Sequence, residues 1–388
     1  MTSGRWTGVG RSADGDARTA ARDAAREALA GRRAKLLVVF CSDGYDLDEL
    51  LAGLAEERGD AKLIGCSTAG EIATTGPGDA GAVVFALGGD GFSVSTAVAE
   101  RASSDLRGAG ATVAAAFSSL PEGEHRALLL LTDGLGGNQQ EIVRGAYGVL
   151  GAGVPLVGGC AGDGLKMQQT FQLYDDRALT DAAVGAAIVS DAPIGIGVRH
   201  GWRRVGEPML VAASSGNRVH RLDDRPALDV YLERLDAPAE ARIDPAAFTA
   251  FALTHPLGLS RRTGEEQVRF VGEANFDDRS LGCIAEVPQG GLAWFMEGDE
   301  QSVLAATDSA CEAALAALDG AEPLALVAFD CIARRGVLGP DGIRREIDRV
   351  TEHANGAPVA GFYSYGEIAR TSGVTGFHNQ TLVVLALA

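Results

Sequence analysis

Two glutamates that occupy the same place in a repeated passage are the residues of this sequence best placed to do chemistry. The passage GCSTAGEI begins at Gly65 and GFYSYGEI begins at Gly361, so glycine, glycine, glutamate and isoleucine recur at identical offsets. A carboxylate just beyond a glycine turn can meet a cationic or hydroxyl-bearing ligand, or it can accept hydrogen bonds from the amides of the turn. Both roles are open for Glu71 and Glu367.

The same passages carry groups that could act as nucleophiles. Cys66, Ser67 and Thr68 lie in the first passage, and Cys160 lies in a related glycine-rich stretch. The first passage lacks the second glycine of a nucleophile elbow, and no histidine lies nearby in sequence to activate a thiol or hydroxyl. A hydrolase that uses Cys66 or Ser67 is therefore kept only as an alternative hypothesis.

A third, divergent copy of the passage is predicted at residues 156–164, which read LVGGCAGDG. Here we expect Asp163 to take the place of the glutamate, and Asp133 ends the preceding apolar run. The four glycines of this stretch do not predict a phosphate-binding loop, because the Lys-Ser or Lys-Thr pair of such loops is missing and the spacing differs from the dinucleotide pattern.

The surrounding elements recur as well. The apolar run LLVVF at 36–40, a helical pattern over 46–58, the passage itself and the run AVVFAL at 82–87 form one unit, and the order repeats over 127–189 and 324–387. Short runs between 194 and 285 predict antiparallel strands. Helices are expected at 226–235 and 300–318, and an irregular insert at 236–266. The predicted fold class is α/β (α+β), with repeated strand-helix-strand-loop-strand units in mixed sheets and an antiparallel region in the middle.

Composition limits the classes of function. The net charge of −18 over 388 residues leaves no basic surface for a nucleic-acid backbone, and no apolar run is long enough to cross a membrane. The six cysteines lack paired spacing, which favours reduced, buried thiols and a cytoplasmic location. We expect neither nucleic acid nor a membrane as a partner.

Several separated motifs resemble those of the FIST family, whose name stands for F-box and intracellular signal transduction. They are GCSTAGEI from Gly65, the Asp-Gly pair at 133–134, GGCAGDG from Gly158, PALDVY from Pro226, and YGEI with FHNQT near the end. The resemblance implies a lead-in segment at 1–29, a FIST N domain at 30–221 and a FIST_C domain at 222–388.

The resemblance also implies a function. FIST domains are regarded as sensory domains that bind small ligands, amino acids among them, and the expected output here is a separate protein such as a signalling kinase. The implied protein is not an enzyme. The expected ligand-binding residues come from the repeated passages and the last strand: Cys66, Ser67, Thr68, Glu71, Asp133, Cys160, Asp163, Tyr363, Tyr365, Glu367, His378 and Asn379.

Some bacterial members are similar to haem proteins that sense nitric oxide and regulate histidine kinases, which gives a second hypothesis. In that case the expected axial ligand is His200 or His378, because each stands at a strand end beside an aromatic residue. No other metal ligands are predicted.

Overall fold

The computed structural model describes residues 4–260, 267–371, 373 and 375–388, and it contains three copies of one α/β unit. Unit 1 consists of β1 (Trp6–Ser12), α1 (Ala17–Leu29), β2 (Leu36–Ser42), α2 (Leu47–Arg58), β3 (Lys62–Thr68), β4 (Glu71–Ala73), β5 (Gly76–Gly78) and β6 (Ala82–Gly88). Unit 2 consists of β7 (Phe92–Glu100), α3 (Leu106–Ala114), β8 (His125–Thr132), α4 (Gln139–Leu150), β9 (Leu156–Cys160), β10 (Gln172–Tyr174), β11 (Arg177–Leu179) and β12 (Ala182–Ser190).

Unit 3 is interrupted by an inserted domain. It opens with β13 (Ile194–Arg199), after which the chain forms β14 (Arg203–Ser215), β15 (Arg218–Leu222), β16 (Arg225–Pro226), α5 (Ala227–Arg234), α6 (Pro245–Ala252), β17 (Leu257–Leu259), β18 (Gln267–Arg269), β19 (Val271–Asn275), β20 (Ser280–Cys283) and β21 (Leu292–Glu297). It then resumes with α7 (Glu300–Ala316), β22 (Ala325–Cys331), α8 (Ile332–His353), β23 (Val359–Ser364), β24 (Glu367–Arg370), β25 (Phe377–His378) and β26 (Leu382–Leu387). The inserted strands form one antiparallel sheet, as the sequence predicts.

Each unit builds a mixed sheet of the same topology. A central strand (β2, β8 or β22) pairs in parallel with the strand after its helix and antiparallel with the last strand of its unit, and the first strand of the unit lies outside the last. The predicted α+β class with mixed sheets is confirmed. The segment expected as a lead-in forms β1 and α1, which correspond to β7 and α3 of unit 2.

The three sheets are completed by an exchange of hairpins. The β4–β5 hairpin of unit 1 pairs with β23 of unit 3, the β24–β25 hairpin of unit 3 pairs with β9 of unit 2, and the β10–β11 hairpin of unit 2 pairs with β3 of unit 1. The exchange closes into a cycle, so every unit gives one hairpin and receives one. We call this arrangement the hairpin exchange.

The first glycine of each repeated passage lies inside a strand rather than in a loop, which corrects the expectation from the sequence. Gly65, Gly158 and Gly361 face Val39, Leu130 and Ala328 at the same register of the parallel pair. A Cβ on Gly158 or Gly361 would lie 1.9 Å from the carbonyl oxygen of the facing residue, and on Gly65 it would lie 2.5 Å away. Only glycine fits because the neighbouring strand approaches so closely.

The inner faces of the three sheets share one hydrophobic core. The ring of Phe40 in unit 1 stacks on Phe362 of unit 3, with centroids 4.9 Å apart, and Phe329 meets both rings edge-on. Unit 2 contributes residues such as Leu129 and Leu131 to this core. The packing of the units around a common centre brings the ends of their parallel strands together.

The inserted region departs from the sequence prediction in one stretch. Helices α5 and α7 confirm the helices expected at 226–235 and 300–318, but 236–266 contains α6 and β17 instead of a wholly irregular insert. Residues 261–266 lie outside the described part of the chain. Phe248 of α6 packs on Tyr231 of α5, and this aromatic contact belongs to the separate core of the inserted domain.

Candidate functional site

The repeated glutamates occupy equivalent positions, and their counterpart in unit 2 is Gln172 rather than Asp163. Glu71 pairs with Phe362, Glu367 with Gly159 and Gln172 with Cys66, and in each case the partner directly follows the strand glycine. The expectation that Asp163 replaces the glutamate is therefore wrong. Unit 2 carries a longer connection after β9, which moves the equivalent residue further along the chain.

The three equivalent side chains accept the same hydrogen bond. Glu71 accepts one from the Gly81 N–H at 3.1 Å, Glu367 from the Thr381 N–H at 3.1 Å, and Gln172 from the Ala182 N–H at 3.1 Å. These N–H groups stand at the same register at the start of the last strand of each unit.

The second oxygen of each glutamate is engaged as well. The Thr68 hydroxyl donates to Glu71 at 2.7 Å, and the Ser364 hydroxyl donates to Glu367 at 2.6 Å. In unit 2 the corresponding residue is Ala161, and the Gln172 Nε2 atom is buried without a hydrogen-bond partner. A neutral amide thus makes the main contact in one unit, so a negative charge is not needed for this position to hold the strands.

Burial raises the pKa of both carboxyl groups. Glu71 and Glu367 are each 1% exposed or less. Desolvation raises the pKa of each to about 7, although the hydroxyl and backbone donors favour the ionised form. Each glutamate therefore changes protonation near neutral pH. Because the folded-state pKa lies above the unfolded value, its contribution to stability is complete below about pH 4.5 and is lost as the pH rises through 7.

We expect Glu71→Gln and Glu367→Gln to stabilise the protein at pH 8 by about 2 kcal/mol each and to change stability little at pH 5. The amide oxygen keeps the backbone contact, as that of Gln172 does, and the amide NH2 group donates to the hydroxyl in place of the bond that the carboxylate accepts. The substitution also removes the cost of a buried charge. Urea unfolding at the two pH values measures the difference in the free energy of unfolding between each variant and the unsubstituted protein.

The reverse change provides the matched control for this prediction. Gln172→Glu places a third buried carboxyl group at the equivalent position, and we expect it to destabilise the protein more at pH 8 than at pH 5. If Glu71→Gln and Glu367→Gln instead lowered stability at pH 8, the ionised carboxylates would be needed for the fold.

The predicted nucleophiles are buried inside the sheets. Cys66 and Ser67 are fully buried, and the Ser67 hydroxyl accepts a hydrogen bond from the Phe171 N–H at 3.0 Å. Burial raises the pKa of Cys66 well above that of a free thiol and that of Cys160 to about 12. Both thiols are therefore protonated at neutral pH and are poor nucleophiles in this conformation.

The remaining predicted site residues lie in different surroundings. His378 is 8% exposed and its Nε2 atom lies 2.9 Å from the Ala369 carbonyl oxygen, and Asn379 follows it in the buried start of the last connection. His200 accepts a hydrogen bond from the Trp202 N–H through Nδ1. Tyr363 is buried on the helix side of β23, with the Arg335 guanidinium over its ring.

A loop of unit 2 connects the strand ends of all three units. This segment, residues 163–170, is called the cap loop below. The Lys166 ammonium forms an ion pair with Asp43 after β2, the Thr170 hydroxyl donates to Asp133 after β8 at 2.8 Å, and the Leu165 N–H donates to the Tyr365 hydroxyl after β23 at 2.8 Å. The structure thus brings Asp43, Asp133 and Tyr365 together at the carboxyl ends of the parallel strands, the end at which α/β proteins usually bind ligands.

Asp163 closes the cap loop on itself. Its carboxylate accepts hydrogen bonds from the backbone N–H groups of Met167, Gln168 and Gln169 at 2.7–3.0 Å, and the Tyr365 hydroxyl donates to the same carboxylate. Burial opposes ionisation of Asp163, but the Tyr365 hydroxyl and the three amides together lower its pKa below the ordinary value. Asp163 is ionised at all pH values near neutrality.

The rest of the cap loop is exposed and adopts strained backbone conformations. Leu165 and Met167 have φ values of 69° and 53°, in the left-handed region that non-glycine residues avoid. Their side chains are 60% and 53% exposed.

A second buried cluster was not predicted from the sequence. Asp330 at the end of β22, Arg334 and Glu346 of α8 and Thr307 of α7 are all fully buried. Arg334 forms ion pairs with both acids, at 2.7 Å to Asp330, and donates to the Thr307 hydroxyl at 3.0 Å. Burial and the neighbouring Glu346 raise the pKa of Asp330 well above its ordinary value, and Arg334 opposes this shift. No helical i,i+4 pattern predicts the pair from the sequence, because Asp330 lies in β22 and only Arg334 lies in α8.

The fold and this arrangement of strand ends define an α/β protein with threefold internal repetition, whose strand ends are covered by a loop of unit 2. Comparison with known families matches a FIST N domain at residues 35–225 and a FIST C domain at residues 227–370. The chain belongs to the FIST family, whose domains are known as sensory domains of signal transduction.

Individual relatives give no further function. The chain is 26% identical over 385 residues to an uncharacterized protein of Mycobacterium tuberculosis strain H37Rv, covering 96% of this chain and 97% of that protein. It is 23% identical over 154 residues to an uncharacterized protein of Methanocaldococcus jannaschii, covering 38% of this chain and 30% of that protein.

Among solved structures, a cyanuric acid hydrolase from A. caulinodans aligns with a TM-score of 0.29 and 11% identity, covering 48% of this chain and 71% of that one. A likeness this low carries no argument about function. Within the described ranges, no helix is both long enough and apolar enough to cross a membrane.

Proposed function

We propose that this protein is a cytoplasmic, non-enzymatic sensor that binds a small ligand under the cap loop and passes the bound state to a separate output protein. The observation that carries the proposal is that one exposed, strained loop makes polar contacts to the strand ends of all three units. A ligand that reorders this loop alters contacts to all three units at once. The six cysteines, all buried and unpaired, support a reducing compartment.

The cap loop also supports the transfer of a signal to a partner. Three large apolar side chains, those of Leu135, Leu165 and Met167, are exposed on the cap loop and on the neighbouring loop after β8. Both loops donate a hydrogen bond to the same oxygen of Asp133, from the Leu135 N–H and from the Thr170 hydroxyl. A change in the cap loop therefore alters the apolar surface that an output protein, such as a kinase, would meet.

We expect at least one compound in a panel of amino acids and other small metabolites to raise the unfolding temperature. A ligand at a hundred times its Kd adds about 2.7 kcal/mol to the stability of the native state. The same compound should change the rate of tryptic cleavage after Lys166, whose side chain is 54% exposed in the free protein. Thermal-shift measurements and mass spectrometry of the tryptic fragments test both expectations.

Cleavage after Lys62, which is 52% exposed and lies at the opposite end of β3, provides the matched control and should not change. Stabilisation without any change in cleavage after Lys166 would place the ligand elsewhere. Absence of stabilisation by every compound, together with turnover of a substrate in an activity screen, would contradict the sensor proposal.

A further inference from the structure

The side chains at the cap loop are mostly acceptors, and their charge is largely uncompensated. Within the described residues, Asp43 pairs only with the Lys166 ammonium. Asp133 accepts hydrogen bonds from the Leu135 and Asp181 N–H groups and the Thr170 hydroxyl but forms no ion pair. Gln139, which is 2% exposed, donates through Nε2 to the Asp133 carbonyl oxygen, while its Oε1 atom has no hydrogen-bond partner. An acceptor buried in this way lacks a donor that a ligand could supply.

The donors of the cap loop are, in contrast, already used. The backbone N–H groups of Met167, Gln168 and Gln169 are occupied by the Asp163 carboxylate. The Lys166 ammonium is the one side-chain cation that the described structure places on the loop, and it is paired with Asp43. An anionic ligand would meet three carboxylates, those of Asp43, Asp133 and Asp163, and few free donors.

The contact of Lys166 indicates which chemical group the cap-loop region binds. Its primary ammonium, at the end of a flexible chain, reaches from unit 2 to the Asp43 carboxylate of unit 1, whose side chain is only 19% exposed. A lysine side chain loses rotamer entropy in such a contact and stays half-exposed, so the pair is weak. A free amine that offers the same group can replace it.

We infer that the ligand of the cap loop is a small cationic amine, which displaces Lys166 from Asp43 and donates hydrogen bonds to the acceptors around Asp133. This inference rests on the proposed function and names the ligand class of the same site. The amine supplies the charge and the donors that the surroundings lack, and its binding frees the cap loop from its tether to unit 1.

The experiment uses the full-length protein and two probes of similar length and opposite charge, 1,4-diaminobutane and succinate, in isothermal titration and thermal-shift assays. We expect the diamine to bind and succinate not to bind. Asp43→Asn and Asp133→Asn should each weaken diamine binding about tenfold or more, because a charge-assisted hydrogen bond is lost.

Lys166→Met should tighten diamine binding about two- to fivefold, because the internal competitor is removed. Lys62→Met is the matched control, since Lys62 is similarly exposed and paired with an aspartate away from the cap loop, and it should leave the affinity unchanged. Unchanged affinity in both Asp43→Asn and Lys166→Met would overturn the inference.

The outcome also separates this inference from the sensor proposal. If an uncharged or anionic compound stabilised the protein and changed the cleavage after Lys166, the amine inference would fail while the sensor proposal stood. If no compound of any charge stabilised the protein or changed the cleavage after Lys166, both would fail.

Discussion

Replacement of Arg334 by methionine is expected to destabilise the protein by about 3–5 kcal/mol at pH 8, because it leaves two buried acids without a counter-charge. Asp330 and Glu346 are both fully buried, and Arg334 contacts each of them. The loss of stability should be smaller at pH 5. Burial raises the pKa of Asp330, so this side chain is protonated more readily at lower pH and its uncompensated charge is then removed. At higher pH the side chain ionises and the buried charge returns.

Urea unfolding at the two pH values measures this effect, and Arg349→Met is the matched control. Arg349 lies on the same helix and pairs with Asp308, but both side chains are about one-third exposed, so its loss should cost no more than about 1 kcal/mol. A triple variant that also carries Asp330→Asn and Glu346→Gln should regain much of the stability. An equal cost for Arg334→Met at pH 5 and pH 8 would show that packing, rather than charge, explains the loss.

Replacement of Gly361 by alanine is expected to cost about 4 kcal/mol or more, or to prevent folding, because the new Cβ would lie 1.9 Å from the Ala328 carbonyl oxygen. The residue sits inside a parallel strand pair with φ of 155°, so neither the side chain nor the backbone can move aside without breaking the sheet. Gly158→Ala should cause a similar loss of stability, since its Cβ would lie 1.9 Å from the Leu130 carbonyl oxygen.

The yield of soluble protein and the urea midpoint measure this effect, and Gly148→Ala is the control. Gly148 lies on the exposed face of α4 with open space around it, so alanine should raise stability by up to about 1 kcal/mol through its higher helix propensity. A mild effect of Gly361→Ala would mean that the strands separate more easily than their register indicates.

The repeated passages predict the positions of the three units, because each passage covers the end of a parallel strand and is followed by the exchanged hairpin. The sequence could not show that Gln172 is the partner of the glutamates. It stands fourteen residues after Gly158, whereas Glu71 stands six after Gly65, and only strand pairing reveals the correspondence. Position in the sequence alone points to Asp163, but the extra residues of unit 2 between β9 and β10 contain the cap loop.

Tertiary pairing also explains the other differences. The segment GGDGF at 88–92 has the glycine and aspartate content of a hairpin turn. However, the strands on either side of it, β6 and β7, belong to different sheets, because β6 pairs with β1 and β2 and β7 pairs with β12. Of the predicted site residues, Asp133, Asp163 and Tyr365 meet at the cap loop, whereas Cys66, Ser67 and Glu71 lie in the interior. Burial of this kind depends on how the three sheets pack, which the composition of a single strand does not determine.

Because of the hairpin exchange, strands that lie far apart in the sequence are hydrogen-bonded neighbours in the same sheet. The edge of the first sheet belongs in sequence to the second unit. Strands β4 and β5, which complete the sheet of β22 and β23, lie about 250 to 290 residues before those strands. A polypeptide cut near residue 226 would leave unpaired strand edges on both pieces, and unpaired edges favour aggregation. The two pieces would have to assemble as partners to recover the native hydrogen bonds, so the single chain acts like an obligate complex whose subunits are held together by covalent linkage.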